Sequence, residues 1–125
     1  LISKIIYKLK KNHAVVPIIK INDAAKRVKK NMIFKNIDRN SLRFSQTPQG
    51  FTYKKIYEKH QKNINTFFDD DSALFTKDKE KIMTITGSKK NLKITDKEDL
   101  NLFISLKKRK SPLGRLLLPE TMKRR

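Results

Sequence analysis

Paired lysines are the groups in this 125-residue chain best placed to do chemistry: Lys29 with Lys30, Lys54 with Lys55, Lys89 with Lys90, then the run Lys107-Lys108-Arg109-Lys110 and the terminal Lys123-Arg124-Arg125. Adjacent cations meet adjacent phosphates, and a lysine ammonium neutralises a phosphate as a point charge without reading a base edge. Arginine, the better bidentate partner for guanine, occurs only 7 times against 31 basic residues in all. Arg43, among aromatic residues, and Arg115, in an apolar clip near the C-terminus, complete the candidate RNA-contacting set. The chemistry expected of these residues is contact with an RNA backbone.

Catalytic patterns find less support. His13 and His60 with a lysine make a ribonuclease-like acid/base set on paper, but two histidines among this many lysines read as incidental. Gly87-Ser88-Lys89 lacks the earlier glycine of a phosphate-binding loop and reads as a hairpin tip. Asp69-Asp70-Asp71 with Asp78 and Glu80 lacks the glycine and closing glutamate of an EF-hand, so a solvated acidic loop over 67–80 is expected, with no metal. Phe44, Phe51, Tyr53 and Tyr57 interleave with cations as a base-stacking platform does, yet neither an RRM signature nor a GXXG loop accompanies them, and the rings are assigned to a core. With no Cys, disulfide frameworks and the usual Cys/His zinc sites are excluded. The expectation is a non-enzyme without cofactor.

The elements that must position the cations follow from apolar spacing. Ile2, Ile5, Ile6 and Leu9 predict a helix within residues 1–12, with Lys4, Lys8 and Lys11 on another face. This acid-free start has the pattern of an organellar transit peptide, but one Ser and no Arg before Arg27 favour a retained structural helix. His13 to Ile21 is β-branched and extended, with Pro17 confining it to an edge or bend. Asn22 or Asp23 then caps a predicted helix through Ala24, Ala25, Val28 and Met32, flanked by Lys26, Arg27, Lys29 and Lys30.

Ser41 to Gln46 alternates, and Thr47-Pro48-Gln49-Gly50 is a turn. Tyr53, Ile56, Tyr57, His60 and Ile64 predict a second basic helix, with Lys54, Lys55, Lys59 and Lys62 facing away. Residues 81–86 and 92–95 read as a hairpin tipped by Lys89 and Lys90. Thr95 or Asp96 with Glu98 or Asp99 forms a capping box for a helix carrying Leu100, Phe103, Ile104 and Leu106 into the basic run. The fold class expected is α+β: one small body over residues 1–110, with basic helices and a short hairpin, and an extended basic and apolar tail over 111–125.

The formal net charge of +19 sets the class of partner, since such a surface repels itself and attracts anions. No apolar run approaches bilayer-spanning length, so no membrane partner is expected. Lys, Ile, Asn and Phe, all with AT-rich codons, dominate over Gly, Ala, Arg and Pro, which explains Lys over Arg but not the sign of the charge. In size, lysine excess, modest core and proline-flanked tail, the chain resembles the small proteins of mitochondrial ribosomes from AT-rich genomes. That resemblance implies a structural constituent of the mitochondrial ribosome in the matrix, with rRNA and neighbouring ribosomal proteins as partners and no small-molecule substrate. The alternatives are a DNA-binding nucleoid protein and an accessory subunit of another organellar complex held by protein contacts.

Overall fold

A computed structural model describes residues 1–110. The chain divides into two units, Leu1–Asn91 and the segment from Leu92 onward. In the first, the element order is α1 (Ile2–Lys8), β1 (Ala14–Lys20), β2 (Ala25–Lys29), β3 (Met32–Ile37), a 3₁₀ turn (Arg39–Ser41), β4 (Arg43–Ser45), β5 (Gly50–Phe51), α2 (Tyr53–Lys62), α3 (Ser72–Lys77) and β6 (Met83–Thr86). The second holds α4 (Lys97–Lys110). The fold class is α+β, as the sequence predicts.

β1 is the spine. Its β-branched residues suit a fully covered strand, and Ala14, Val15, Val16 and Pro17 are all buried. β6 runs parallel to it, with Val15 opposite Met83 and Ile18 opposite Thr86. β4 and β5 both pair antiparallel along the other side, Lys20 opposite Arg43 and Ala14 opposite Phe51. Pro17 is therefore central rather than marginal, which corrects the edge assignment. Its carbonyl accepts from the Gln46 amide at 2.8 Å, so its nitrogen, which has no proton to donate, faces the same flank, where the antiparallel neighbour breaks between Ser45 and Gly50.

The core lies on both faces of this spine. Ile5 and Leu9 of the first helical segment pack with Val15 and Ile85, while Ala14, Leu74 and Phe75 form a second cluster with Phe51, Ile56, Phe68 and Ile82. Gly50 is required where α1 crosses β5, because a Cβ there would overlap the Ile5 side chain. Phe75 is fully buried and stacks on Phe51 with ring centroids 5.3 Å apart.

Three predicted elements differ. The basic helix through Ala24 to Met32 is instead the antiparallel ribbon β2–β3, closed by the two-residue turn Lys30-Asn31 with φ of 51° and 65°. Two successive positive φ angles are what a type I′ hairpin turn demands, and Asn tolerates them. The predicted hairpin of 81–86 with 92–95 does not form: β6 is a strand, but its partner is β1, and 92–95 is irregular. The acidic loop contains a helix, α3, because Leu74 and Phe75 have a core to enter.

The helices α1, α2 and α4 stand where apolar spacing puts them. α4 begins in the predicted capping box: Asp99 accepts from the Thr95 amide at 3.1 Å and hydroxyl at 2.7 Å, and its own amide donates to Asp96 at 2.7 Å. The predicted tail lies outside the described residues.

Candidate functional site

Parallel strands gather their carboxyl ends at one edge, and in open α/β sheets ligands bind in the crevice there. In this chain the edge consists of Lys20, Ile21 and Asn22 leaving β1 and Gly87-Ser88-Lys89-Lys90-Asn91 leaving β6. β4 starts beside it, since Arg43 pairs with Lys20. A cavity of about 290 Å³ opens here, lined by Lys20, Ile21, Asn22, Arg39, Asn40 and Arg43.

The β6 loop is held by one side chain reaching over the spine. Gln46 Nε2 donates to the Ser88 carbonyl at 2.8 Å, and its Oε1 accepts from the Ser88 amide at 3.0 Å. Asn91 Nδ2 closes the arrangement by donating to the Thr47 carbonyl. Gly87 is fixed by this contact, because a Cβ there would overlap Gln46 Oε1. Lys89 and Lys90 are thereby presented to solvent on a tethered loop. The arrangement can neutralise and orient phosphate groups; among the described residues no group of three or more His, Asp or Glu converges to hold a metal ion.

The predicted cations are scattered over the first unit. Lys29 and Lys30 are exposed at the far end of the ribbon, and Arg43 lies at the carboxyl edge. Lys54 is exposed on α2, whereas Lys55 pairs with Glu80 at 3.2 Å. Lys89 and Lys90 are the one predicted doublet at the edge. In the second unit, Lys107 and Lys108 are exposed on α4; Arg109 and Lys110 end that helix, and Arg115, Lys123, Arg124 and Arg125 lie outside the described residues. Lys20 and Arg39 were not singled out from the sequence, because each stands alone rather than in a doublet.

Other assignments of side chains are corrected. Tyr53 and Tyr57 stack on one another at 5.7 Å on the outer face of α2, with Tyr53 77% exposed, rather than entering the core; Phe44 is exposed as well. Lys59 is the inward residue of α2, 5% exposed, lying over the Phe75 ring at 4.8 Å and paired with Asp78 and Glu80. Burial works against its charge, but the two carboxylates outweigh that and hold its pKa above the usual lysine value. Asp70 is a junction: burial opposes its charge, yet hydrogen bonds from the Ser72 hydroxyl, Gln49 amide, Ala73 backbone and Ser45 hydroxyl together keep its carboxyl below the usual range. Its carboxylate accepts from the first turn of α3 and ties that helix to β4 and the 47–50 turn. His13 pairs with Thr52 and His60 with Asp71, each at 3.0 Å, so the two histidines share no site.

A sheet whose parallel pair ends in an open, cationic carboxyl edge belongs to the class of folds that bind ligands beyond the carboxyl ends of their strands. The family model described as IspD, 2-C-methyl-D-erythritol 4-phosphate cytidylyltransferase, matches residues 1–105, and the chain belongs to this family. It is 39% identical over 88 residues to a bifunctional IspD/IspF enzyme of a Wolbachia from Brugia malayi, covering 70% of this chain and 21% of that one. It is 36% identical over 105 residues to the 2-C-methyl-D-erythritol 4-phosphate cytidylyltransferase of Prochlorococcus marinus, covering 82% of this chain and 47% of that one. A solved structure of the 4-diphosphocytidyl-2C-methyl-D-erythritol synthase of Anaerococcus prevotii superimposes with a TM-score of 0.71 at 32% identity, covering 84% of this chain and 52% of that one. The chain thus spans about half the length of the last two relatives and about a fifth of the first.

These findings overturn the likeness to mitochondrial ribosomal proteins and, with it, the expected rRNA and ribosomal-protein partners, the nucleoid and accessory-subunit alternatives, the exclusion of a small-molecule substrate and the reading as a non-enzyme. The physical reason is plain. A net charge reports attraction to anions, not the size of the anion, and codon bias raises lysine content in enzymes as readily as in ribosomal proteins.

Proposed function

We propose that this chain forms part of a 2-C-methyl-D-erythritol 4-phosphate cytidylyltransferase and supplies its phosphate-handling edge. The observation that carries the reading is the family match along residues 1–105, which takes in both loops of the carboxyl edge. The relatives' names define the chemistry. A phosphate oxygen of the sugar phosphate attacks the α-phosphorus of an activated cytidine nucleotide, a cytidine triphosphate, and pyrophosphate departs with the electrons of the broken P–O bond.

Attacking and leaving groups are both anionic, so catalysis here rests on positioning and on cations placed where charge concentrates. In this reading Lys20 and the lysines that follow β6, Lys89 and Lys90, neutralise phosphate oxygens. Gln46 supports them indirectly by fixing the loop through Ser88.

The test is to incubate the enzyme of which this chain forms part with both substrates and follow the diphosphocytidyl product and pyrophosphate by ³¹P NMR. Product should form, and replacing Lys20, Lys89 or Lys90 by Ala, one at a time, should lower kcat/KM about tenfold wherever the ammonium meets a phosphate. Absence of product from that enzyme, or three variants as active as the parent, counts against the reading.

A further inference from the structure

β6 pairs with β1 along its inner edge, where the Gly87 amide donates to the Ile18 carbonyl at 2.8 Å. Backbone groups along a parallel strand alternate between its two flanks, so the N–H and C=O of Thr84 and Thr86 point to the outer edge. Among the described residues no strand pairs there. Both threonines are exposed, and Met83 to Thr86 carries neither the charge nor the proline that commonly blunts an unpaired edge. A cavity of about 580 Å³ adjoins it, lined in part by Thr84, Ile85 and Thr86 of the strand and by Lys4, Tyr7 and Lys8 of α1. All three α1 residues are exposed, and among the described residues neither lysine is ion-paired. The first acid in the chain is Asp23, so nothing on α1 offsets the two charges.

We propose that this edge takes an extended acidic segment of another protein as an added strand, whose carboxylates at alternate positions meet Lys4 and Lys8. The spacings match: four helical residues rise about 6 Å and two strand residues about 6.7 Å, so a Glu-x-Glu strand is in step with the two lysines. Ladder bonds to Thr84 and Thr86 give affinity without regard to sequence, and the lysines select acidic segments over basic ones. A polynucleotide would satisfy the lysines but has no amide ladder to offer the strand, which favours a peptide. The proposal does not rest on the transferase reading.

Fluorescence anisotropy at low ionic strength tests it, with the whole protein and a short labelled peptide that alternates Glu and Val. Binding should saturate, weaken about fivefold in a Lys4→Gln/Lys8→Gln variant, and change less than about twofold in a charge-matched Lys54→Gln/Lys62→Gln variant on α2. Two further versions of the peptide are N-methylated on alternate residues, one for each set of amides. The version that removes the ladder donors keeps its carboxylates and should bind about tenfold more weakly. Amide exchange at Thr84 and Thr86 should slow when the unmodified peptide is bound. Equal weakening in both double variants, undiminished binding of both N-methylated peptides, or a parent titration that does not saturate overturns the proposal. A single-stranded oligonucleotide that slows exchange at Thr84 and Thr86 where the peptide does not would assign the groove to nucleic acid and overturn it as well.

Discussion

At the residue scale, two buried polar groups decide more than the exposed lysines do. Lys59 lies over the Phe75 ring with its ammonium facing Asp78 and Glu80, and Asn63 continues the network by donating to the Lys59 carbonyl at 2.8 Å while accepting from Lys77 at 2.7 Å. Lys59→Ala removes both the packing over the ring and the partner of two carboxylates. Because those carboxylates remain partly hydrated, the expected loss is about 2 kcal/mol, below the cost of breaking a fully buried pair, and urea denaturation measures it. Asp70 sets an acid limit. Its folded-state pKa is depressed, so the unfolded chain binds the extra proton first: its stabilisation is complete above the ordinary aspartate pKa and is lost as pH falls through the lower folded value. Asp78 and Glu80, held down by Lys59, act in the same direction. In Asp70→Ala the melting temperature should fall near neutral pH, by an amount matching a lost helix-capping acceptor of about 1 kcal/mol, and should decline less steeply than the parent's on acidification.

At the scale of elements, what was legible in the sequence is what local spacing controls. The isoleucines of α1, the Tyr53 to Lys62 helix and the Thr95–Asp99 capping box all depend on residues within a few positions of one another. The ribbon was not legible, because Ala25 and Val28 stand at helical spacing and break strand alternation, the pairing register shifting between Arg27 and Val28, and the deciding feature is the left-handed turn at Lys30-Asn31. The helix face of α2 was legible only in part: Ile56 enters the core as its spacing predicts, but Tyr is counted as apolar and Lys as polar, and Lys59 turns inward to Asp78 and Glu80. β6 was found as a strand but given the wrong partner, since pairing with β1 is non-local. The carboxyl edge shares that limitation. Lys89 and Lys90 were visible as a doublet, whereas Lys20, Arg39 and Arg43 are brought together only by the β1–β4 pairing. The ribbon makes few contacts beyond itself, so Asn31→Val, which places a β-branched residue at positive φ, should speed amide exchange in β2 and β3 while leaving β1 protected. Equal acceleration in β1 would show that the ribbon is part of the cooperative core.

At the scale of the whole molecule, the net charge of +19 acquires a narrower meaning. Part of it is distributed over α2, the ribbon and α4, where it promotes solubility; the part that organises function in this account is the group at the carboxyl edge of β1 and β6. Family membership and the spread of charge lead to different surfaces, and among the described residues it is the carboxyl edge that has a loop tethered by Gln46 and a cavity lined by Lys20, Arg39 and Arg43. The direct measurement is residue-resolved amide NMR of the protein titrated with cytidine triphosphate and then with 2-C-methyl-D-erythritol 4-phosphate. Shifts concentrated at Lys20 to Asn22 and Gly87 to Asn91 are predicted. Shifts confined to α2 or the outer face of α1, with those two loops unmoved, would contradict the account.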